Sequence, residues 1–169
     1  MTVRPIIHLP EPVLRAKAKR VPEIDASVHR LIEDMIDSMY AANGVGLAAP
    51  QIGVSLRVVV IGMPEEEPFA LINPEIVKVS GERLVDEGCL SVPGYRGEIT
   101  RHKSVIAKGL TPEGKEIRVK AKDDLLAQAL EHEIDHINGI VYVDHLTSLQ
   151  ALEKVEVSPP REPRERAAS

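Results

Sequence analysis

Residues 123–139, "DDLLAQALEHEIDHING", constrain the fold more than any other segment. Leu125, Leu126, Ala129, Leu130, Ile134 and Ile137 recur at helical spacing, Asp123 or Asp124 can cap the start, and Asn138-Gly139 can stop the end. The spacing predicts a buried helix that other elements must cover. That helix carries two histidines four residues apart, and positions i and i+4 share a helix face. His132 and His136 can therefore aim their rings at one ion. Glu133 lies about 100° around the axis from His132, within reach of a water at that ion without ligating it. Imidazoles inside an apolar helix need polar partners, so the pattern predicts a divalent metal site with two of its ligands on one helix.

The rest of the chain must cover this helix. Its 169 residues suffice for one domain with its own core. Trp is absent, and only three Tyr and one Phe are present, so Val, Ile, Leu and Ala must build that core. "DASVHRLIEDMIDSMYAANG" predicts a first long helix, capped by Asp25 or Ser27 and ended by Asn43-Gly44. "GVGLAAPQIG" reads as a loop. "LRVVVIG", "FALINP" and "EIVKVSGERLVDEG" read as separate strands, the last interrupted at Ser80-Gly81, and "HKSVIAKGLTPEGKEIRVKAKD" as two strands around the turn "TPEG". "LTSLQALEKVE" reads as a short turn of helix. The expected fold is α+β, with mainly antiparallel sheets packed around the central metal-binding helix and an N-terminal helix. Residues 1–157 are expected to form one domain. Residues 158–169, rich in proline, arginine and glutamate with little to bury, are expected to be a disordered tail.

A net charge of −5 argues against a general nucleic-acid surface. The N-terminus has no apolar signal-peptide region, and no stretch is long and apolar enough to span a bilayer. With one cysteine no intramolecular disulfide can form. A cytoplasmic protein without membrane partners is the expectation.

The third ligand can be approached by elimination. His29 sits among charged residues of the first helix, His8 and His102 lie near turns or strand ends, and His145 is the best histidine rival. Against these stands Cys89, in "DEGCLSVPG", where Gly88 and Pro93-Gly94 mark a turn rather than a packed strand interior. Thiolate is a strong ligand for divalent transition metals. Two histidines and one cysteine leave a fourth position for water, as in catalytic rather than structural sites. A cysteine nucleophile is the rival chemistry, and it leaves Glu133 and one histidine without roles. Asp135 can pair with an arginine such as Arg101 or be an ordinary solvated acid; Asp144 is equally open.

Three segments in this order, "GVGLAAPQ" (44–51), "EGCLS" (87–91) and "HEIDH" (132–136), resemble the motifs of bacterial-type peptide deformylases. The resemblance runs from about residue 5 to about residue 150. It implies a hydrolase that removes the formyl group from the N-terminal methionine of nascent polypeptides and releases formate. It implies Cys89, His132 and His136 as metal ligands, and Fe2+ as the usual native ion, with Zn2+, Ni2+ or Co2+ able to replace it. Glu133 would be the general acid/base, with Gln51 and the Leu90 backbone N–H helping to hold the formyl oxygen. Val45, Gly46, Gly88 and Leu125 would contribute to the substrate cleft. N-formylmethionyl nascent chains would be the partner, with transient ribosome contact. The irregular tail after Ser158 is unlike the C-terminal helix that some members dock on ribosomes.

Overall fold

The computed structural model describes residues 2–146 and 151–156. Among the described residues, two α-helices and six strands make an α+β fold, as the pattern predicts: α1 (Ala26–Ala41), β1 (Gly46–Ala48), β2 (Val58–Ile61), β3 (Phe69–Cys89), β4 (Val92–Leu110), β5 (Glu116–Lys122), α2 (Leu125–Ile137) and β6 (Glu153–Lys154). The strands form one antiparallel sheet in the order β1-β2-β3-β4-β5, with β6 pairing off that path to β4.

The helices cover opposite faces of this sheet because strand side chains alternate. Val58, Val60, Ala70 and Ile72 pack with Val28, Leu31, Met35 and Met39 of α1. Val59, Ile61, Leu71, Val105 and Ala107 pack with Ala127, Leu130, Ile134 and Ile137 of α2. Leu130 and Ile137 are fully buried, each burial contributing roughly 1.5–3 kcal/mol. That packing fixes the rotation of α2, and so where its histidines point.

The ends of both helices are set by local chemistry. Asp25 caps α1 by accepting from the N–H groups of Ser27 and Val28 at 2.9 and 3.2 Å. Asp124, not Asp123, caps α2, accepting from Ala127 N–H at 2.9 Å. The α2 C-terminus closes with Gly139 at φ 77°. Gly139 N–H donates to the His136 carbonyl at 3.1 Å and Ile140 N–H to the Asp135 carbonyl at 2.9 Å, a pair of bonds that ends a helix within one residue. Arg57 secures the same end, donating to the Ile137 carbonyl and to Asn138 Oδ1 at 3.0 and 2.9 Å.

Three local expectations are corrected. "GVGLAAPQIG" is not a loop: Gly46–Ala48 is a strand, and Ala49–Ile52 turns through a 3₁₀ segment. All three β1 residues are buried, so no alternation marks them in the sequence. The expected breaks at Asn73-Pro74 and Ser80-Gly81 do not divide β3. Register shifts around 72–78 absorb the first, and Gly81 takes φ 66° while pairing with β4 stays in register on either side. The helical turn expected over 146–156 does not extend to Glu153–Lys154, which form β6; residues 147–150 lie outside the described residues. The expected tail, 158–169, also lies outside them. Among the described residues, no helix is long and apolar enough to cross a membrane.

Candidate metal centre

β3 ends at Cys89, and only Leu90-Ser91 separate it from β4, which pairs Val92 back to Cys89. This tight reversal brings the sulfur over α2. The ligating atoms of Cys89, His132 and His136 all lie within 4.8 Å of one another. Cys89 Sγ is 3.2 Å from His136 Nε2, which is 3.2 Å from His132 Nε2. His145, the histidine rival, is not in this cluster: its Nε2 contacts Asp135 Oδ2 at 2.9 Å.

The donor set fits a cation. His132 Nδ1 faces Glu87 Oε1 at 2.8 Å, which assigns the ring proton to Nδ1 and leaves Nε2 as a lone pair. That lone pair, the His136 ring nitrogen and the sulfur all point into one space. Ligands about 2.0–2.3 Å from a shared ion sit roughly 3–4 Å from each other; two of the separations here are 3.2 Å and all lie within 4.8 Å. The electrostatics agree. Burial works against a charged His132 imidazole, yet Glu133, Cys89 and Glu87 outweigh it and hold its pKa well above the usual histidine value. The pocket therefore favours a positive charge at Nε2, where a bound cation would take the place of the second ring proton. Burial and the His132 charge push His136 well below the usual value, so its imidazole stays neutral.

Glu133 lies beside the cluster, 4% exposed. Its Oε1 has no hydrogen-bond partner among the described residues. Burial raises its pKa to about 7 against the opposing pull of His132, which suits a group that exchanges protons at neutral pH. Gly46 of β1 makes room for this carboxylate: a Cβ there would sit 2.5 Å from Glu133 Oε2.

Gln51 is 1% exposed, and its amide is held at both ends. Oε1 accepts from Ala48 N–H at 2.9 Å, while Nε2 donates to Ser91 Oγ at 3.1 Å and lies 3.6 Å from Cys89 Sγ. Leu90 and Val45 are half-buried near the same reversal, where a Cβ on Gly44 would meet Leu90 Cδ1 at 2.9 Å. Gly88 pairs with Arg96 immediately before Cys89. Leu125 stands apart. It opens α2, is 42% exposed, and lies two helical turns, about 10 Å, before His132.

The family profile of polypeptide deformylases matches residues 3–152. The chain belongs to this family. A peptide deformylase of Dehalococcoides mccartyi strain CBDB1 is 56% identical over 156 residues, covering 92% of this chain and 93% of the relative. One from Carboxydothermus hydrogenoformans is 51% identical over 144 residues, covering 85% and 93%. Among solved structures, a peptide deformylase from Legionella pneumophila superposes with a TM-score of 0.85 at 47% identity, covering 89% of each chain.

Within the three deformylase segments, two residues escaped the sequence reading. Glu87, within "EGCLS", carries no role by pattern alone, and it is the partner of His132 Nδ1. Ser91 is buried, holds the Gln51 amide, and directs its N–H at the Cys89 sulfur at 3.4 Å. Strand alternation could have flagged Glu87, which lies two residues before Cys89 and so on the same side of β3. Two residues left open are now placed. Asp135 pairs with Arg101 at 2.7 Å. Asp144 pairs with Arg15, which outweighs the effect of burial and lowers its pKa.

Proposed function

We propose that Cys89, His132 and His136 hold one divalent cation, natively Fe2+, and that Glu133, Gln51 and Leu90 act beside it. The chain is a deformylase, a metal-dependent hydrolase that removes the formyl group from the N-terminal methionine of newly made polypeptides and releases formate. The single observation that carries the ligand assignment is the meeting of one sulfur and two imidazole nitrogens within 4.8 Å, beside a buried carboxylate. Fe2+ is chosen because the family usually carries it, and a thiolate with two imidazoles also accepts zinc or cobalt. Substrates made at the ribosome place the enzyme in the cytoplasm, in transient contact with that particle.

A cation bound there supplies Lewis acidity, which acidifies water and polarises a carbonyl. Glu133 takes the proton of the attacking water as oxygen bonds to the formyl carbon. It returns that proton to the amide nitrogen as the carbon–nitrogen bond breaks and the amine departs. The developing oxyanion needs fixed donors. The Gln51 amide is one: Ala48 and Ser91 fix its plane beside Cys89, and the Nε2 proton directed at the sulfur is the one the oxyanion would take. The Leu90 backbone N–H, in the reversal between β3 and β4, is the second. Val45, Gly46 and Gly88 line the backbone approach for an extended peptide, whose main chain can pair without regard to sequence. Leu125 is assigned to the outer end of that cleft.

Two substitutions separate these roles. Gln51→Leu is expected to lower kcat about 10²–10³-fold with the metal content unchanged, read by formate release alongside metal quantitation. Gly46→Ala would place a methyl 2.5 Å from Glu133 Oε2 and must displace the carboxylate. A shift of about 1 Å at a reacting group can cost roughly 10²-fold, so a similar loss of kcat is expected at normal metal loading. A fully active Gly46→Ala protein would show that Glu133 need not stay where the structure holds it. The reading as a whole is tested by offering a formyl-Met peptide and the same peptide acetylated. Formate released from the first, with no cleavage of the second, is the expected result.

A further inference from the structure

Behind His132 lies a set of charged groups that the hydrolysis does not use directly. Arg101, on β4, is 3% exposed. Its Nε and Nη2 donate to the two carboxylate oxygens of Glu87 at 3.1 and 3.2 Å. Its Nη1 donates to Asp135 Oδ2 at 2.7 Å. Glu87 is on β3 and Asp135 is on α2, so one guanidinium joins three elements beneath the metal centre. Glu87 Oε1 also faces His132 Nδ1 at 2.8 Å.

A glutamate side chain alone has several rotatable bonds and does not hold a ring still. The two-pronged grip of a guanidinium removes that freedom, because its planar fork matches both carboxylate oxygens at once. The acceptor on the far nitrogen of a ligating imidazole sets the orientation of the ring and which nitrogen keeps its proton. Here that acceptor is itself held by a buried arginine that is not one of the three clustered donors.

We propose that Arg101 is a positioning residue: by gripping Glu87 from β4 and Asp135 on α2, it fixes the His132 ring so that Nε2 is presented to the cation. This rests on the reading of His132 as a ligand. Arg101 acts through Glu87, so its effect must depend on Glu87 being able to accept the His132 N–H. Lysine at 101 cannot grip both oxygens of Glu87 and also reach Asp135, so retaining the positive charge alone is not enough.

The test loads full-length protein with Zn2+ and follows its release to excess chelator in the parent, Arg101→Met, Arg101→Lys, Glu87→Met and the double variants Arg101→Met/Glu87→Met and Arg101→Lys/Glu87→Met; methionine at 87 cannot accept the His132 N–H as the carboxylate does. Loss of groups that orient ligands costs about 10–100-fold in metal affinity. Both Arg101 variants are therefore expected to release Zn2+ at least about tenfold faster than the parent, with kcat lowered and KM unchanged. In the Glu87→Met background, Arg101→Met is expected to add no further acceleration, since coupled groups are not additive. A purely structural arginine would lower the melting temperature and leave the release rate at the parent value; that result overturns the proposal. So does an Arg101→Met effect of equal size with and without Glu87. If Arg101→Met does not fold, Arg101→Lys is judged by the same two criteria. A parent that binds no Zn2+ would overturn the ligand assignment itself, and the inference with it.

Discussion

Glu133→Ala is expected to lower formate release from a formyl-Met peptide by about 10²–10⁴-fold, the range for a lost general acid/base, while metal content stays at the parent level. The separation of the two readouts follows from geometry. Glu133 is not among the three clustered donors, and its Oε1 has no partner among the described residues. Truncating it removes a buried carboxylate without breaking a hydrogen bond to that oxygen, so the fold should tolerate it. The check is formate release assayed together with metal quantitation on the same preparation. Retained turnover would remove Glu133 from the mechanism. Lost metal would mean that it contributes to binding rather than to proton transfer.

Cys89→Ala is expected to lose both metal and turnover, in contrast to Glu133→Ala. Two imidazoles remain, 3.2 Å apart, and neither can replace the sulfur at the end of β3. Without the cation, water keeps its ordinary pKa of about 15.7 instead of one near 7, so activity should fall below roughly a hundredth of the parent's. Chelator treatment of the parent should reproduce that loss, and restored Fe2+ should reverse it. A protein that stays active after metal removal would favour the cysteine as a covalent nucleophile, and the two histidines would then need another explanation.

Local chemistry made α2 legible in the sequence. The apolar spacing of α2, its cap at Asp124 and its stop at Gly139 all lie within the segment itself, so His132, Glu133 and His136 could be placed on one element from sequence alone. The thiol was reachable by elimination because a single cysteine stands in a glycine-marked turn. Elsewhere the reading failed where distant partners decide the structure. Gly46–Ala48 becomes a strand only because β2 pairs with it, burying small residues that show no alternation. β3 runs through Asn73-Pro74 because β4 carries it across a register shift. Glu87 carries no local signal, since the groups that make its burial tolerable, Arg101 and His132, lie 14 and 45 residues away. Burial alone would raise its pKa, but those neighbours hold it below the usual carboxylate value.

X-ray absorption on anaerobically purified protein, with one Fe2+ per chain, would show the coordination shell itself. One sulfur scatterer and two histidine nitrogens, at distances of about 2.3 and 2.0–2.1 Å if Zn2+ is loaded instead, with the rest of the shell from solvent oxygen, is the expected result. A shell without sulfur, or one closed by a fourth protein side chain, would contradict it.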